Sequence, residues 1–466
     1  MAVNVLIRLK FAEVKPMYKK GDKNVTSNYR LISLLTSFSK IFEKVIYNRI
    51  YHHINYNHIL VNEQFGFRHT LSTGIVSYNL TKNILTALNN KLLVRGIFCD
   101  LHKAIDCVNY DILLSKMGFN GISGKANNLI KSYLQNRRQR TLVDYDSKKY
   151  YSEWKSVTDG VLQGSILGSL FFLLYVNDVP NVIPDISNSV LYADDTSLII
   201  TNSDSQMFEK NINTAILQLN RRFSNNRLLL NLEKTYFLQF LTKNSRATDL
   251  HLSYQNRQIS SIHSTKFLGL VIDDNLSWHC NIDQMIPKLN KASCVIRFLK
   301  PLPSFEALKM VYFSSFHSII SYGIKFWSIS TYSKIIFKTQ KRIVRIITNS
   351  GNKDSCHNLF KKLCILPLQS QYVFSLLMFV IKNKDLFKTH MDIRSSNTRF
   401  NQNLKIPVAN LAVFQKGVRY SGIKVYNYLP LTLKQLSHDI PKFKAALKRF
   451  LYANSFYTLK EYYSWK

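Results

Sequence analysis

Apolar residues recur along the chain at two spacings, and these divide it into helices and strands. Over 36–54, TSFSKIFEKVIYNRIYHHI, the pattern predicts a helix with Ile41, Phe42, Val45, Ile46 and Ile50 on one face. A second helix is predicted over 75–92, with Val76, Leu80, Ile84 and Leu88 as its stripe. VRGIFCD (94–100) is short, apolar and β-prone, which predicts a buried strand ending at Asp100. RTLVDY (140–145) alternates as a strand does, whereas GSILGSLFFLLYVNDV (164–179) is long enough for a buried helix. SVLYADDTSLII (189–200) reads as strand, turn and strand, flanked by Val190–Leu191 and Leu198–Ile200. An amphipathic helix follows over 204–228, then strands at 234–240 and 267–273. From about residue 275 helices dominate. One of these, 335–349, sets Ile336, Ile343, Ile346 and Ile347 on one face and Lys338, Lys341, Arg342 and Arg345 on the others. The order is mixed α and β with non-local pairing, not a repeated βαβ array.

Composition adds a partner to this picture. The 466 residues are 46% hydrophobic and 13% aromatic, which suits a folded chain with a sizeable core. Lysine and arginine number 63 against 28 aspartates and glutamates, a formal charge of +35. Such an excess repels itself, and a polyanion relieves it. Because the cations are spread through the whole chain, nucleic acid is favoured over an anionic membrane surface. The most apolar run, ILGSLFFLLYV (166–176), is too short to span a bilayer, so no membrane association is expected. The six cysteines form no CxxC pair, and His279–Cys280 and Cys356–His357 each lack a second pair at zinc-ligand spacing. Free thiols and the missing secretory pattern predict an intracellular protein, cytoplasmic or nuclear.

In so basic a chain, adjacent Asp194 and Asp195 stand out. Aspartate tolerates turn geometry, so a charged structural turn is one reading. The apolar flanks favour another, because neighbouring carboxylates in a partly desolvated turn are disfavoured unless a cation compensates them. Hard oxygen ligands of this kind suit magnesium. Asp100, at the end of its strand, offers a third carboxylate, with Asp106 competing for the role. Either one joined to the hairpin would permit a pair of ions about 3.5–4 Å apart. Spacing allows that meeting without requiring it.

Eight blocks in order resemble a reverse transcriptase of the non-long-terminal-repeat, jockey-like retrotransposon type. They are YKKGDKNVTSNYRLISLL (18–35), SKIFEKVIYNRI (39–50), NEQFGFRHTLST (62–73), FCDLHKAIDCVNYDILLSKM (98–117), GVLQGSILGSLFFLLYVND (160–178), LYADDTSL (191–198), NRLLLNLEKT (226–235) and KFLGLVIDDNLSW (266–278). TQKRIVRIIT (339–348) and GIKVYNYLP (422–430) extend the likeness to the tail. The resemblance implies an α+β right-hand polymerase, with fingers and an antiparallel palm sheet over 1–274. A helical thumb over 275–370 and a mostly helical carboxyl-terminal region over 371–466 would follow. It implies an RNA-directed DNA polymerase that extends a primer with deoxynucleotides on an RNA template, the primer being DNA or a nicked DNA target. A catalytically inactive, nucleic-acid-binding remnant is the alternative.

Residue by residue, the likeness assigns Asp100, Asp194 and Asp195, with the Leu101 carbonyl, to two magnesium ions, for which manganese is a substitute. Asp106 is then structural. Lys234 is placed to protonate the leaving pyrophosphate, and Arg30 to reach the incoming triphosphate. Gln163, Gly164 and Ile105 would line the nucleotide, while Arg137, Arg138 and Arg140 are candidate contacts to the nucleic-acid backbone. Lys19, Lys20 and Arg68 are weaker candidates near phosphate.

Three departures stand out. Ile105 takes the place of a phenylalanine that blocks a ribose 2′-hydroxyl, which predicts weaker exclusion of ribonucleotides. Leu31, Leu162 and Ser169 replace prolines, which predicts a looser loop before Gln163. The chain begins near the fingers-like block and shows no zinc-knuckle cysteines, so the expectation is a polymerase region without its own endonuclease.

Overall fold

The computed structural model describes residues 5–69, 71–183, 187–242, 245, 253–254, 257–258, 260–301, 304–387 and 403–465. Two compact units result, one made of Met1–Val76, Arg95–Phe237 and Thr248–Ser261, the other of Ser77–Val94, Leu238–Ala247 and Ile262–Lys466. The carboxyl-terminal region expected over 371–466 includes 388–402, which lie outside the described residues.

The first unit carries two sheets. In one, β1 (Phe11–Tyr18) pairs antiparallel with β2 (Tyr29–Leu34) and parallel with β4 (Arg137–Tyr145). Short strands β5 (Lys148–Tyr151) and β6 (Lys155–Val157) both pair with β4. In the other, β7 (Ser187–Tyr192) and β8 (Asp195–Asn202) lie beside β3 (Leu93–Cys99), then β9 (Tyr236–Phe240) and the edge strand Ser260–Ser261. β3 is buried along nearly its whole length, and Leu198, Ile199 and Ile200 of β8 are fully buried beside it. The apolar runs therefore form the interior strands of the sheet that presents Asp100.

Helix α5 (Ile166–Val176) is buried from Leu167 to Val176 apart from Ser169, as its apolar run predicts. Ser165 caps it by accepting from the Leu167 and Gly168 amides. Helix α2 (Thr73–Asn89) buries Val76, Leu80, Ile84 and Leu88 as expected. Helices α3 (Tyr110–Phe119), α4 (Gly124–Leu134) and α6 (Ser205–Asn225) complete the frame, and Asp204 caps α6 through the Met207 amide at 2.7 Å.

Helix α1 (Ser37–Tyr56) departs from the predicted register. Its buried stripe is Ser39, Glu43, Ile46, Ile50 and Ile54, whereas Ile41 is 63% and Val45 52% exposed. The reason is Glu43, which is fully buried. One carboxylate oxygen accepts from the Ile166 amide at the start of α5 (2.7 Å), and the other from the Tyr133 hydroxyl. A helix N-terminus stabilises an anion, so the charge turns inward and rotates the apolar pattern with it.

In the second unit, the hairpin Ser264–Phe267 and Leu270–Asp273 leads into the helix His279–Leu299. Asp273 secures that junction, accepting from the Ser277 amide at 2.6 Å and the His279 amide at 3.1 Å. Helix Leu368–Lys382 forms the centre, packed with Val418–Asn427 and Ile440–Asn454. The basic helix Ser333–Thr348 buries Ile336, Ile343 and Ile347, leaving Lys334, Lys338 and Arg342 exposed. Among the described residues no single helix is long and apolar enough to cross a membrane.

Candidate active site

β7 and β8 pair from Ser187 opposite Ile200 to Tyr192 opposite Asp195, so Ala193 and Asp194 form a two-residue loop. Ala193 has φ 58°, a left-handed conformation that costs a residue with a Cβ roughly 1–2 kcal/mol. The segment NEQFG (62–66) holds the turn in that shape. The Leu191 amide donates to the Glu63 carbonyl, and the Phe65 amide to the Leu191 carbonyl, both at 2.9 Å. Gln64 is fully buried, and its Oε1 accepts from the amides of Gly66 (2.9 Å) and Ala193 (3.2 Å). Gly66 passes so close that a Cβ there would lie 2.3 Å from the Ala193 nitrogen.

Asp100 follows β3 directly. Its carbonyl accepts from the Asn231 amide (2.8 Å), and its Oδ2 from Asn231 Nδ2 (3.2 Å). Lys234 places Nζ 3.6 Å from the same Oδ2. Leu101 is buried and bridges antiparallel to Leu230, while the His102 amide donates to the Leu229 carbonyl at 2.9 Å. The stretch 229–234 thus lies along 100–102 and delivers both Asn231 and Lys234 to Asp100. Asn231 and Gln64 escaped the sequence reading, although both sit inside quoted blocks, LNLEKT and NEQFGF.

The three aspartates share one electrostatic neighbourhood. Asp195 is exposed by surface area, yet protein around its carboxyl, then the charges of Asp194 and Asp100, push its pKa up to about 6. Lys19 opposes that rise, so one lysine of KKGD acts on the hairpin carboxylates. An acid of raised folded pKa binds its proton more tightly folded than unfolded. In the metal-free chain the resulting stability is fully present below the ordinary value of 3.8 and is lost as pH rises through about 6. Asp195→Asn is accordingly expected to melt above the wild type at pH 7.5 in chelator, with the gap closing near pH ~4. A gap independent of pH would contradict this.

A second loop, before α5, lies beside Asp106. Gln163 Nε2 donates to Asp106 Oδ1 at 3.2 Å, and the Ser33 amide of β2 donates to the Gln163 carbonyl at 2.7 Å. Gly164 has φ 107°, and a Cβ there would stand 2.8 Å from the Ser33 carbonyl oxygen. The amides of Gly160 and Val161 donate to the carbonyls of Val108 and Ile105. These bonds tie in the loop that lacks the usual prolines. Asp106 is engaged by Gln163, and burial raises its pKa.

The remaining candidates divide by environment. Arg30 lies on β2 opposite Met17 and is exposed. Arg137 is 2% exposed, donates to the Tyr133 carbonyl and stacks over the Tyr133 ring. Arg140 pairs with Glu13 and lies over Tyr151 and Trp154, whereas Arg138 is exposed. Arg68 braces its own loop through the Val61 and Gln64 carbonyls.

Among the described residues no three His, Cys, Asp or Glu side chains converge as a ready-made metal cluster. The donor chemistry still suits a divalent cation. The carboxylates are hard oxygen donors, and the repulsion that Asp100 and Asp194 exert on Asp195 is of the kind a cation relieves.

The chain is similar to several known proteins. "Probable RNA-directed DNA polymerase from transposon BS" of Drosophila melanogaster is 28% identical over 366 residues, covering 74% of this chain and 40% of that protein. "RNA-directed DNA polymerase from mobile element jockey" of the same organism is 27% identical over 338 residues, covering 70% and 36%. The chain therefore spans about two fifths of the length of these relatives. A solved apo telomerase from Candida tropicalis overlaps 57% of this chain and 54% of its own, at TM-score 0.40 and 14% identity. The family model described as "Reverse transcriptase (RNA-dependent DNA polymerase)" matches residues 18–272, more than half of the chain and the whole of the aspartate site. With Asp100 set beside the β7–β8 turn and the family pattern running through both, this chain belongs to the reverse transcriptase family.

Proposed function

We propose that the chain is an RNA-directed DNA polymerase of a retrotransposon, extending a DNA primer 3′-hydroxyl with deoxynucleoside triphosphates on an RNA template. The observation that carries this reading is the placement of Asp100 at the end of β3, the strand beside β8, whose hairpin turn carries Asp194 and Asp195. Asp100, Asp194, Asp195 and the Leu101 carbonyl would hold two magnesium ions. Bound there, the metals supply a lowered pKa at the primer hydroxyl and charge neutralisation on the triphosphate. The chain's own groups do the rest. Lys234, 3.6 Å from Asp100, is a proton donor for the departing pyrophosphate. Arg30 suits bidentate binding of phosphate oxygens. Gln163, Gly164 and Ile105 form the nucleotide's protein wall. Arg138 and the exposed Lys334, Lys338 and Arg342 suit phosphate contacts, which would make binding salt-sensitive.

Purified chain, given an annealed RNA template and DNA primer with magnesium, is expected to add deoxynucleotides only when the template is present. Binding without extension would indicate the inactive remnant instead. Ile105→Phe is expected to raise discrimination against ribonucleotides by about tenfold, the scale of one hydrophobic contact in a pocket. Equal discrimination in a competition assay would remove Ile105 from the ribose wall.

A further inference from the structure

The inward rotation of Glu43 has an outward consequence for α1. One side of the helix carries an aromatic row, with Tyr47 and Tyr51 half-buried and His52 and Tyr56 exposed. Tyr47 and Tyr51 stack with ring centroids 5.4 Å apart and planes within 9°. His52 and Tyr56, one turn apart, are parallel within 8° at 6.3 Å. His69, from the loop that continues out of NEQFGF, meets Tyr51 edge-on at 5.0 Å, and its amide donates to the Tyr51 hydroxyl at 3.2 Å. Together these rings line an open groove of about 530 Å³. Tyr56 is 77% exposed.

The exposed charges of α1 have one sign. The only acidic residue of α1, Glu43, is fully buried. Lys40, Lys44 and Arg49 are all exposed. Lys44 lies over the Tyr47 ring at 4.9 Å, and helical spacing puts Arg49 on the same side as His52 and Tyr56. Exposed flat rings interleaved with cations match an unpaired nucleic-acid strand, whose bases offer π-faces and whose backbone offers phosphates. A duplex hides those faces, and an apolar peptide would gain nothing from the cations.

We infer that the aromatic face of α1, with His69, is a stacking platform for the single-stranded part of the RNA template. The inference rests on reading the chain as an RNA-copying polymerase, and it names a segment of that polymerase's substrate. A short stretch of chain links the platform's His69 to Gln64 and Gly66, which brace Ala193 of the catalytic hairpin through a hydrogen bond and close backbone packing. Bases stacked there would be held a short stretch of chain from the turn that carries Asp194.

The test uses the full chain and a thiouridine-substituted single-stranded RNA. Photocrosslinks are expected within peptides containing Tyr47–Tyr56 and His69, both in the wild type and in Asp194→Asn. The double variant Tyr47→Ala, Tyr56→Ala is expected to weaken single-strand binding by about thirtyfold or more, the loss of two stacked bases. Tyr47→Phe, Tyr56→Phe keeps the rings and should bind within about twofold of wild type. Duplex binding should be unchanged by either. Crosslinks that map elsewhere, in a wild type that does extend primers, would overturn the platform alone. Equal binding by the alanine and wild-type chains would also overturn it. Platform crosslinks in a chain that extends no primer would leave the platform standing and remove the polymerase reading.

Discussion

Replacing Asp194 with asparagine is expected to reduce primer extension on the order of 10²–10³-fold while leaving the fold intact. The side chain sits at the exposed tip of a two-residue loop, so an amide of the same shape disturbs no packing. What changes is charge. Losing one preorganised electrostatic group at a reacting centre costs on this scale. Asp106→Asn is the matched control. Asp106 is bonded to Gln163 and belongs to the loop before α5, and asparagine retains an acceptor for that bond. Its extension rate is expected to stay within about tenfold of wild type, since a neutral hydrogen bond contributes only ~0.5–1.5 kcal/mol. Steady-state extension rates with thermal melts of both variants check the contrast. Comparable losses in the two would place Asp106 in the site as well.

Gly66→Ala should be nearly as damaging, for a different reason. Its Cβ would meet the Ala193 nitrogen at 2.3 Å and the Ala193 Cα at 3.0 Å, both backbone atoms. The hairpin cannot yield freely, because the Ala193 amide is bonded to Gln64 Oε1 and Leu191 is bonded on both sides by 63–65. Overpacking of this sort costs about 1–3 kcal/mol of stability. The catalytic cost is larger, because a 1 Å displacement of a reacting group can lower a rate by about 10²-fold. A folded Gly66→Ala chain with slow extension but normal RNA binding is the expected result. Wild-type rates would show that the 63–66 segment can shift without carrying Asp194 with it.

These two residues also show what was legible in the sequence. Asp194 announces itself, being one of two adjacent acids between β-prone runs in a basic chain. Gly66 does not, because its role depends on a strand segment more than a hundred residues away in the chain, and periodicity carries no such information. The same limit explains Asn231, brought to Asp100 by a long-range pairing of 229–230 with 101–102. Buried runs such as β3 and α5 were readable because nearly every position is apolar or small, so no face has to be chosen, Arg95 being the exception. α1 was not, since its apolar residues wrap around the helix and a buried glutamate decides which side turns inward. Arg137 and Arg138 are adjacent in sequence, yet strand alternation buries the first and exposes the second.

The proline replacements follow the same logic. A loop with Leu162 in place of a φ-restricting proline reads as loose on local grounds alone. Its order comes from elsewhere, through the Ser33 amide on β2, the Ile105 and Val108 carbonyls and the Asp106 carboxylate. Hydrogen bonds from two separate segments, β2 and 105–108, can supply the restraint that one ring would have supplied locally.

The central claim is that Asp100, Asp194 and Asp195 form a centre where an RNA template directs DNA synthesis. Its most direct test is single-nucleotide incorporation opposite a defined RNA base, with each deoxynucleotide offered separately to wild type and to Asp194→Asn. The expected result is incorporation of the complementary deoxynucleotide by wild type and its loss in Asp194→Asn. Incorporation that ignores the template base, or that persists in Asp194→Asn, would contradict the assignment.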